Sequence, residues 1–291
     1  MFIKKLIIFL INILPFSQKN LFKFRLNWSI RSIILFIYNL YGKKIEFYFF
    51  LSGSDKFKNY KFVYRYLDLL LPRKNVKRVL EIGIGGHAQS YSGGQSLLGL
   101  KYIYSKAHIY GVDLIDKSFV QNKRITTLIC DQGKTKNIIN IFKKINKSFD
   151  LVIDDGSHFG VHQINSFKIL FDYLNDGGVY IIEDLNGCFL KSYQGDPLYG
   201  VKKNTVAFFA KIVPSVYSKL LINKIRNSLG KFKEVSSILF IDNCIVVQKK
   251  KNYEKKFNKK DIYMSLNNLN KTQTRFKSRS GLILEKKTNN L

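Results

Sequence analysis

The sequence predicts an α/β fold, a doubly wound sheet of five parallel strands closed by a C-terminal antiparallel hairpin. Three observations predict it. From residue 77 onward, short apolar runs alternate with stretches of helical period; each of these runs ends in glycine or a carboxylate; and two apolar runs flank an Asp242-Asn243 turn near the end. Strands that alternate with helices give a parallel sheet covered on both faces.

The elements follow in order. Val79-Leu-Glu-Ile-Gly83 is a buried strand breaking into glycines, Ile109-Tyr-Gly-Val-Asp-Leu114 a second, and Arg124-Ile-Thr-Thr-Leu-Ile-Cys-Asp131 a third. Asp150-Leu-Val-Ile-Asp-Asp-Gly156 is the fourth and Gly178-Val-Tyr-Ile-Ile-Glu-Asp-Leu185 the fifth. Helices are expected at Gln95 to Ser105, Lys136 to Ile145 and Val161 to Leu174, the last with Ile164, Phe167, Ile169, Leu170 and Tyr173 mostly on one face. Ser237 to Gln248 reads as the hairpin. Around this core the chain divides into basic, apolar N-terminal helices (1–50), the sheet domain (51–250) and a basic polar tail (251–291).

The 291 residues carry 49 Lys+Arg against 20 Asp+Glu, a net charge of +29. Lys outnumbers Arg 40 to 9, as codon bias alone would produce, but the charge is unevenly placed. Residues 1–78 hold 16 basic and 3 acidic side chains, 79–200 hold 12 of each, and 201–291 hold 21 and 5. A neutral, carboxylate-bearing middle between basic flanks disfavours a nucleic-acid partner and makes an anionic membrane surface a candidate for the flanks. A homo-oligomer is a second candidate association. The charge-free stretches Leu6–Phe16 and Ser32–Gly42 fall short of the ~18–20 residues that cross a bilayer. Lys and Arg interleaved with Phe, Ile, Leu and Trp28 suit interfacial helices, and equally a pair of core-packing helices. Three scattered cysteines give no disulfide framework and no zinc pair, so a reducing cytoplasm, with peripheral attachment to the inner membrane face, is expected.

The strand ends carry the chemistry. Gly83, Gly85 and Gly86 let the chain turn tightly and approach a ligand, and Asp113, 30 residues past Gly83, can accept hydrogen bonds from both ribose hydroxyls. Asp131-Gln132 can reach an adenine, and no Lys follows the glycines as in a phosphate loop. The set suits an adenosine ligand without phosphates, S-adenosylmethionine before a dinucleotide. Asp154-Asp155 and Glu183-Asp184 close neighbouring strands about 5 Å apart, where carboxylates repel unless a cation joins them. An all-oxygen donor set indicates Mg²⁺ before Mn²⁺ or Ca²⁺, while helix capping or direct binding of substrate hydroxyls stays open for some of these acids. His158, three residues past Asp155, is placed to take a proton, with His162 as a supporting residue, His87 in the glycine loop beside the cofactor, and His108 structural.

Six motifs in order, Glu81-Ile-Gly-Ile-Gly-Gly86, Gly93-Gly94-Gln-Ser96-Leu97, Gly111-Val-Asp-Leu-Ile-Asp-Lys-Ser118, Asp131-Gln132, Ile153-Asp-Asp-Gly-Ser-His158 and Ile182-Glu-Asp-Leu185, resemble those of the metal-dependent sugar O-methyltransferases of the macrocin and mycinamicin type. Ser54-Asp55-Lys56 with Tyr60 and Tyr64, and the hairpin from Ile238, extend the resemblance over about residues 53–250. It implies a Rossmann-like class I methyltransferase fold. It also implies S-adenosylmethionine contacts from Glu81, Gly83, Gly85, Gly86, Ser96, Asp113, Asp131, Gln132 and Asp154, Mg²⁺ held by Asp155, Glu183 and Asp184, and His158 as general base on a sugar hydroxyl of a glycan or glycosylated natural product. Asn186 to Gly200, with Tyr193, Asp196 and Tyr199, is expected to form a lid. The competing readings are an RNA methyltransferase, against which stands the lack of an Asn-Pro-Pro-Tyr-like motif, and a non-catalytic membrane-associated protein of the same fold.

Overall fold

The computed structural model describes residues 16–41, 44–86, 89, 91–197 and 204–251. The apolar run before residue 16, His87, Tyr199 and most of the basic tail lie outside the described residues. Among the described residues the first elements are helices α1 (Phe16–Tyr41), α2 (Ile45–Ser52), α3 (Lys56–Asn59) and α4 (Lys61–Leu70). Then follow β1 (Arg78–Ile82), α5 (Gln95–Ile103), β2 (His108–Asp113), β3 (Ile125–Ile129), α6 (Thr135–Ile145), β4 (Phe149–Asp154), α7 (Gly160–Leu170) and β5 (Leu174–Ile182). Helices α8 (Thr205–Ile212) and α9 (Asn223–Ser228) precede the hairpin of β6 (Val235–Ile241) and β7 (Cys244–Lys249).

The seven strands run in the order β3-β2-β1-β4-β5-β7-β6. The first five are parallel, and β7 pairs antiparallel with both β5 and β6. The chain leaves β1 toward β2 and β3, then returns to β4 on the other side, so the crevice beyond β1 and β4 is the topological switch point where such sheets take ligands. Register brings the strand ends level: Ile82 lies opposite both Val112 and Asp154, and Asp154 opposite Ile182.

Alternate side chains along each strand serve the two faces. Val79, Ile109, Leu151, Ile153, Val179 and Val246 join one core, and Leu80, Val112, Val152, Tyr180, Ile182 and Val247 join the other. The N-terminal helices belong to the first of these cores through Leu35, Ile45, Tyr48, Phe49, Val63 and Leu67. The boundary expected at residue 50 therefore falls inside α2, which packs on the sheet domain. Helix α1 buries Leu35 in the core, as the packing reading expects, and leaves Ile33, Phe36, Ile37 and Leu40 exposed.

The two largest boundary shifts both lie around the start of β5. The helix expected to run to Leu174 ends at Leu170 and tightens into a 3₁₀ turn over Phe171–Tyr173, and Leu174 already belongs to β5. That strand starts four residues before the expected Gly178, and its pairing with β4 shifts register between Phe149 and Leu151.

Candidate functional site

The site is built where the sheet ladder continues past the strand ends. Gly83 N donates to Val112 O (2.8 Å), Asp155 N to Ile82 O (2.9 Å) and Glu183 N to Asp154 O (2.9 Å), which fixes all three turns against one another. Gly83 sits at φ +76°, and a β-carbon there would lie 2.2 Å from the Asp155 carbonyl oxygen, so only glycine lets the first turn cross the fourth. Gly85 also has positive φ, and open space stands where its β-carbon would be. The Asp113 carboxylate is held by the backbone N–H groups of Ile84 and Ile115, both at 3.0 Å.

These turns line a cavity of about 680 Å³. Among the expected site residues, Gly83, Gly85, Gly86, Ser96, Asp113, Asp155, His158 and Asp184 face it. Asp155, His158 and Asp184 offer ligand atoms that all lie within 4.8 Å of one another, with His158 Nε2 3.5 Å from Asp184 Oδ2. His158 Nδ1 is buried with no hydrogen-bond partner among the described residues. Two carboxylates and an imidazole with an unspent nitrogen suit a divalent cation or a bound hydroxyl. Both His158 (φ 60°) and Asp184 (φ 55°) adopt the left-handed conformation, which for residues other than glycine costs free energy and clusters at functional sites.

The other expected residues do not line the cavity: Glu81, Gln132, Asp154 and Glu183 are buried, and Asp131 is partly exposed. Glu183, expected as a metal ligand, is instead fully buried and turns to Lys56 Nζ (2.6 Å) and the Tyr64 hydroxyl. Lys56 Nζ also reaches Asp155 Oδ2 (2.7 Å) and Glu81 Oε1 (3.3 Å). Glu81, expected at the cofactor, spends its other oxygen on Ser96 Oγ (2.7 Å). Gln132, expected at the adenine, donates to Asp154 Oδ1 (2.7 Å) and Ser166 Oγ (3.1 Å) and accepts from Ser157 N (2.8 Å), so it braces the His158 turn. Asp131 holds Lys134 (3.1 Å) and Gly133 N (2.9 Å). His162 Nδ1 pairs with Ser157 Oγ at 2.8 Å.

Burial pushes the Glu81 carboxyl up to about 7 and raises Glu183 as well. Burial alone would lower Lys56, but Asp155 and Glu183 outweigh it and hold the ammonium well above its ordinary value. Lys56 is thus an internal cation bound to three carboxylates. Tyr60 donates to Asp184 Oδ1, which also accepts from Asn243 Nδ2 (3.0 Å). Asn243 in turn accepts from Asn186 N (2.6 Å), so the hairpin turn pins the loop that carries Asp184. Sequence reasoning assigned no role to Lys56, Tyr60, Tyr64 or Asn243; the Ser-Asp-Lys motif and the turn were visible, but not their partners. In the expected lid, Tyr193 packs its ring against Phe159 (centroids 5.6 Å apart) and His158 (6.2 Å).

Asp154 is buried between Gln132 and the Tyr180 hydroxyl, and burial raises its carboxyl from an ordinary 3.8 to about 6. Between those values the folded chain holds a proton that the unfolded chain has released, so rising pH favours unfolding. Thermal melts from pH 4 to 7 are expected to show this loss, and Asp154→Asn to remove its share of the slope while that of Glu81 remains.

No family model matches the chain. An 8-demethyl-8-α-L-rhamnosyl tetracenomycin-C 2'-O-methyltransferase of Streptomyces olivaceus is 31% identical over 202 residues, 69% of this chain and 53% of the relative. Demethylmacrocin O-methyltransferase of Streptomyces fradiae is 41% identical over 124 residues, 43% of this chain and 31% of the relative. Mycinamicin VI 2''-O-methyltransferase of Micromonospora griseorubida is 40% identical over 127 residues, 43% of this chain and 32% of the relative. The chain is similar to the sugar O-methyltransferases of the macrocin and mycinamicin type. The solved MycE methyltransferase of the mycinamycin pathway, in complex with Mg and SAH, superposes with a TM-score of 0.66 at 27% identity, covering 73% of this chain and 56% of that one. The fold is therefore that of the class I methyltransferases. The chain spans about half, or less, of the length of the sugar O-methyltransferases it matches.

Proposed function

We propose that the protein is an S-adenosylmethionine- and Mg²⁺-dependent O-methyltransferase acting on a sugar hydroxyl of a glycan or glycosylated natural product. The observation that carries this reading is one cavity lined both by the glycine turn with Asp113 and by Asp155, His158 and Asp184. When bound, S-adenosylmethionine supplies a methyl group on a sulfonium leaving group, and Mg²⁺ supplies positive charge that eases deprotonation of a hydroxyl.

The chain's own residues do the rest. The Gly83–Gly86 turn and the fixed Asp113 carboxylate orient the nucleoside, and Asp155 with Asp184 holds the cation. Glu183 backs Asp155 through Lys56. His158, its Nε2 facing the Asp184 carboxylate, takes the proton of the attacking hydroxyl. Tyr193, its ring packed against His158 and Phe159, helps hold the imidazole in place. The similarity to relatives named for methylating sugars supports the acceptor class. The test is methyl transfer from labelled S-adenosylmethionine to a panel of glycosides. Transfer that disappears with EDTA and returns with Mg²⁺ is expected; transfer to RNA but to no glycoside would overturn the reading.

The basic, apolar N-terminus further suggests peripheral attachment to an anionic membrane at the cytoplasmic face. No helix among the described residues is long and apolar enough to cross a bilayer. Exposed Ile33, Phe36, Ile37 and Leu40 can enter an interface beside Lys and Arg side chains. Flotation with phosphatidylglycerol vesicles is expected to carry the protein upward. Sedimentation without vesicles tells whether the same face instead pairs two copies.

A further inference from the structure

A second cavity, of about 630 Å³, lies between α1 and the segment Phe50–Lys58. Its walls are apolar over Ile30, Ile34, Phe50, Leu51 and Phe57, and Ile30, Ile34 and Phe50 are left 41–53% exposed. Ile30, Ile34 and Ile37 recur at helical spacing on α1, so the groove runs on into the exposed apolar face of that helix. Its other end is polar and opens onto the first cavity: Gly53, Ser54 and Asp55 line both. Arg31 marks this junction, its Nη1 donating to Leu51 O (2.9 Å) and its guanidinium packed against Gly53. A smaller space of about 120 Å³ beside it is lined by Trp28, Arg31, Gly53 and Gln95.

Resting on the methyltransferase reading above, we infer that the acceptor sugar is carried on an aliphatic chain, which lies in this groove while the sugar occupies the Asp155–His158–Asp184 end of the first cavity. Continuity selects this occupant. A molecule that fills both spaces must pass Gly53–Asp55, be polar where carboxylates and an imidazole await it, and be apolar where Ile30, Ile34, Phe50 and Phe57 await it. A glycolipid-like amphiphile has that order of parts. Burying a chain here removes from water side chains that the fold leaves exposed, at roughly 0.8 kcal/mol for each methylene covered.

Trp28 is the sole tryptophan and borders the junction, so its fluorescence reports occupancy without any need for turnover. Methyl, hexyl and octyl glucosides are titrated into the full chain below their micelle concentrations. Affinity is expected to rise about tenfold from hexyl to octyl glucoside, the fold-change that two largely buried methylenes give. Ile34→Glu, at a half-exposed groove position, should abolish that dependence, whereas Leu69→Glu, at an exposed position of α4 that does not line the groove, should leave it. Binding with no dependence on chain length overturns the inference, as it would if the groove were filled by residues 1–15 of this chain; so does equal loss in both variants. In the methyl-transfer assay, longer chains should lower KM with little change in kcat. Chain-length-dependent fluorescence without transfer to any glycoside counts against the methyltransferase reading, and transfer indifferent to chain length counts against the groove.

Discussion

Replacing Lys56 with Met is expected to cost about 3–5 kcal/mol of folding stability, the penalty for leaving buried charge without its partner. Lys56 Nζ lies 2.6–3.3 Å from carboxylate oxygens of Glu183, Asp155 and Glu81, and Glu81 and Glu183 have no exposed surface. Without the ammonium these two can remain folded only by taking up protons. Their folded pKa values, already raised by burial, then rise further, and stability is lost as pH climbs above the ordinary carboxylate range. The loss should therefore be larger at pH 8 than at pH 6. Urea unfolding at both values checks it; a variant as stable as the parent at pH 8 would show that the cluster is not held by Lys56.

His158→Ala is expected to lower turnover by roughly 10²–10⁴-fold, the usual contribution of a positioned general base, with S-adenosylhomocysteine affinity unchanged. The imidazole clusters with Asp155 and Asp184, while Asp113 and the glycine turn line the part of the cavity proposed to take the nucleoside. Calorimetry with the cofactor product separates the two ends. The backbone supplies a second readout, because position 158 has φ 60°. Ala keeps the left-handed strain and Gly relieves it, so His158→Gly should be more stable than His158→Ala by about 1 kcal/mol, although both lack the base. Equal turnover in parent and Ala variant would remove His158 from the reaction.

The sheet was legible because strands buried on both faces read as uninterrupted apolar runs, and each of the seven lies within a few residues of its expected place. The start of β5 was obscured by Asn175-Asp-Gly-Gly178, a polar stretch that belongs to the strand but falls in its register irregularity, between the pairs Phe149–Leu174 and Leu151–Val179. At the site, the turns and their chemistry were legible, but not which member of each carboxylate pair faces the cavity. Neighbouring residues at a strand end point to opposite sides. Asp155 lines the cavity where Asp154 turns to Gln132 and Tyr180, and Asp184 lines it where Glu183 turns to Lys56. Lys56 stands 99 and 127 residues from its partners Asp155 and Glu183, a separation that no local pattern records.

The pinning of Asp184 by Asn243 bears on when, during synthesis, the protein acquires its site. The glycine turn, Asp113 and His158 are all made well before the hairpin, yet Asp184 is fixed by a residue 59 positions downstream, in the turn just before β7, the strand that pairs directly with β5. Closing so long a loop is entropically costly and comes late in folding. A nascent chain can thus assemble the glycine turn and Asp113 first and complete the Asp184 side only when β7 has left the ribosome and slid between β5 and β6, so that this strand acts as the latch of the site.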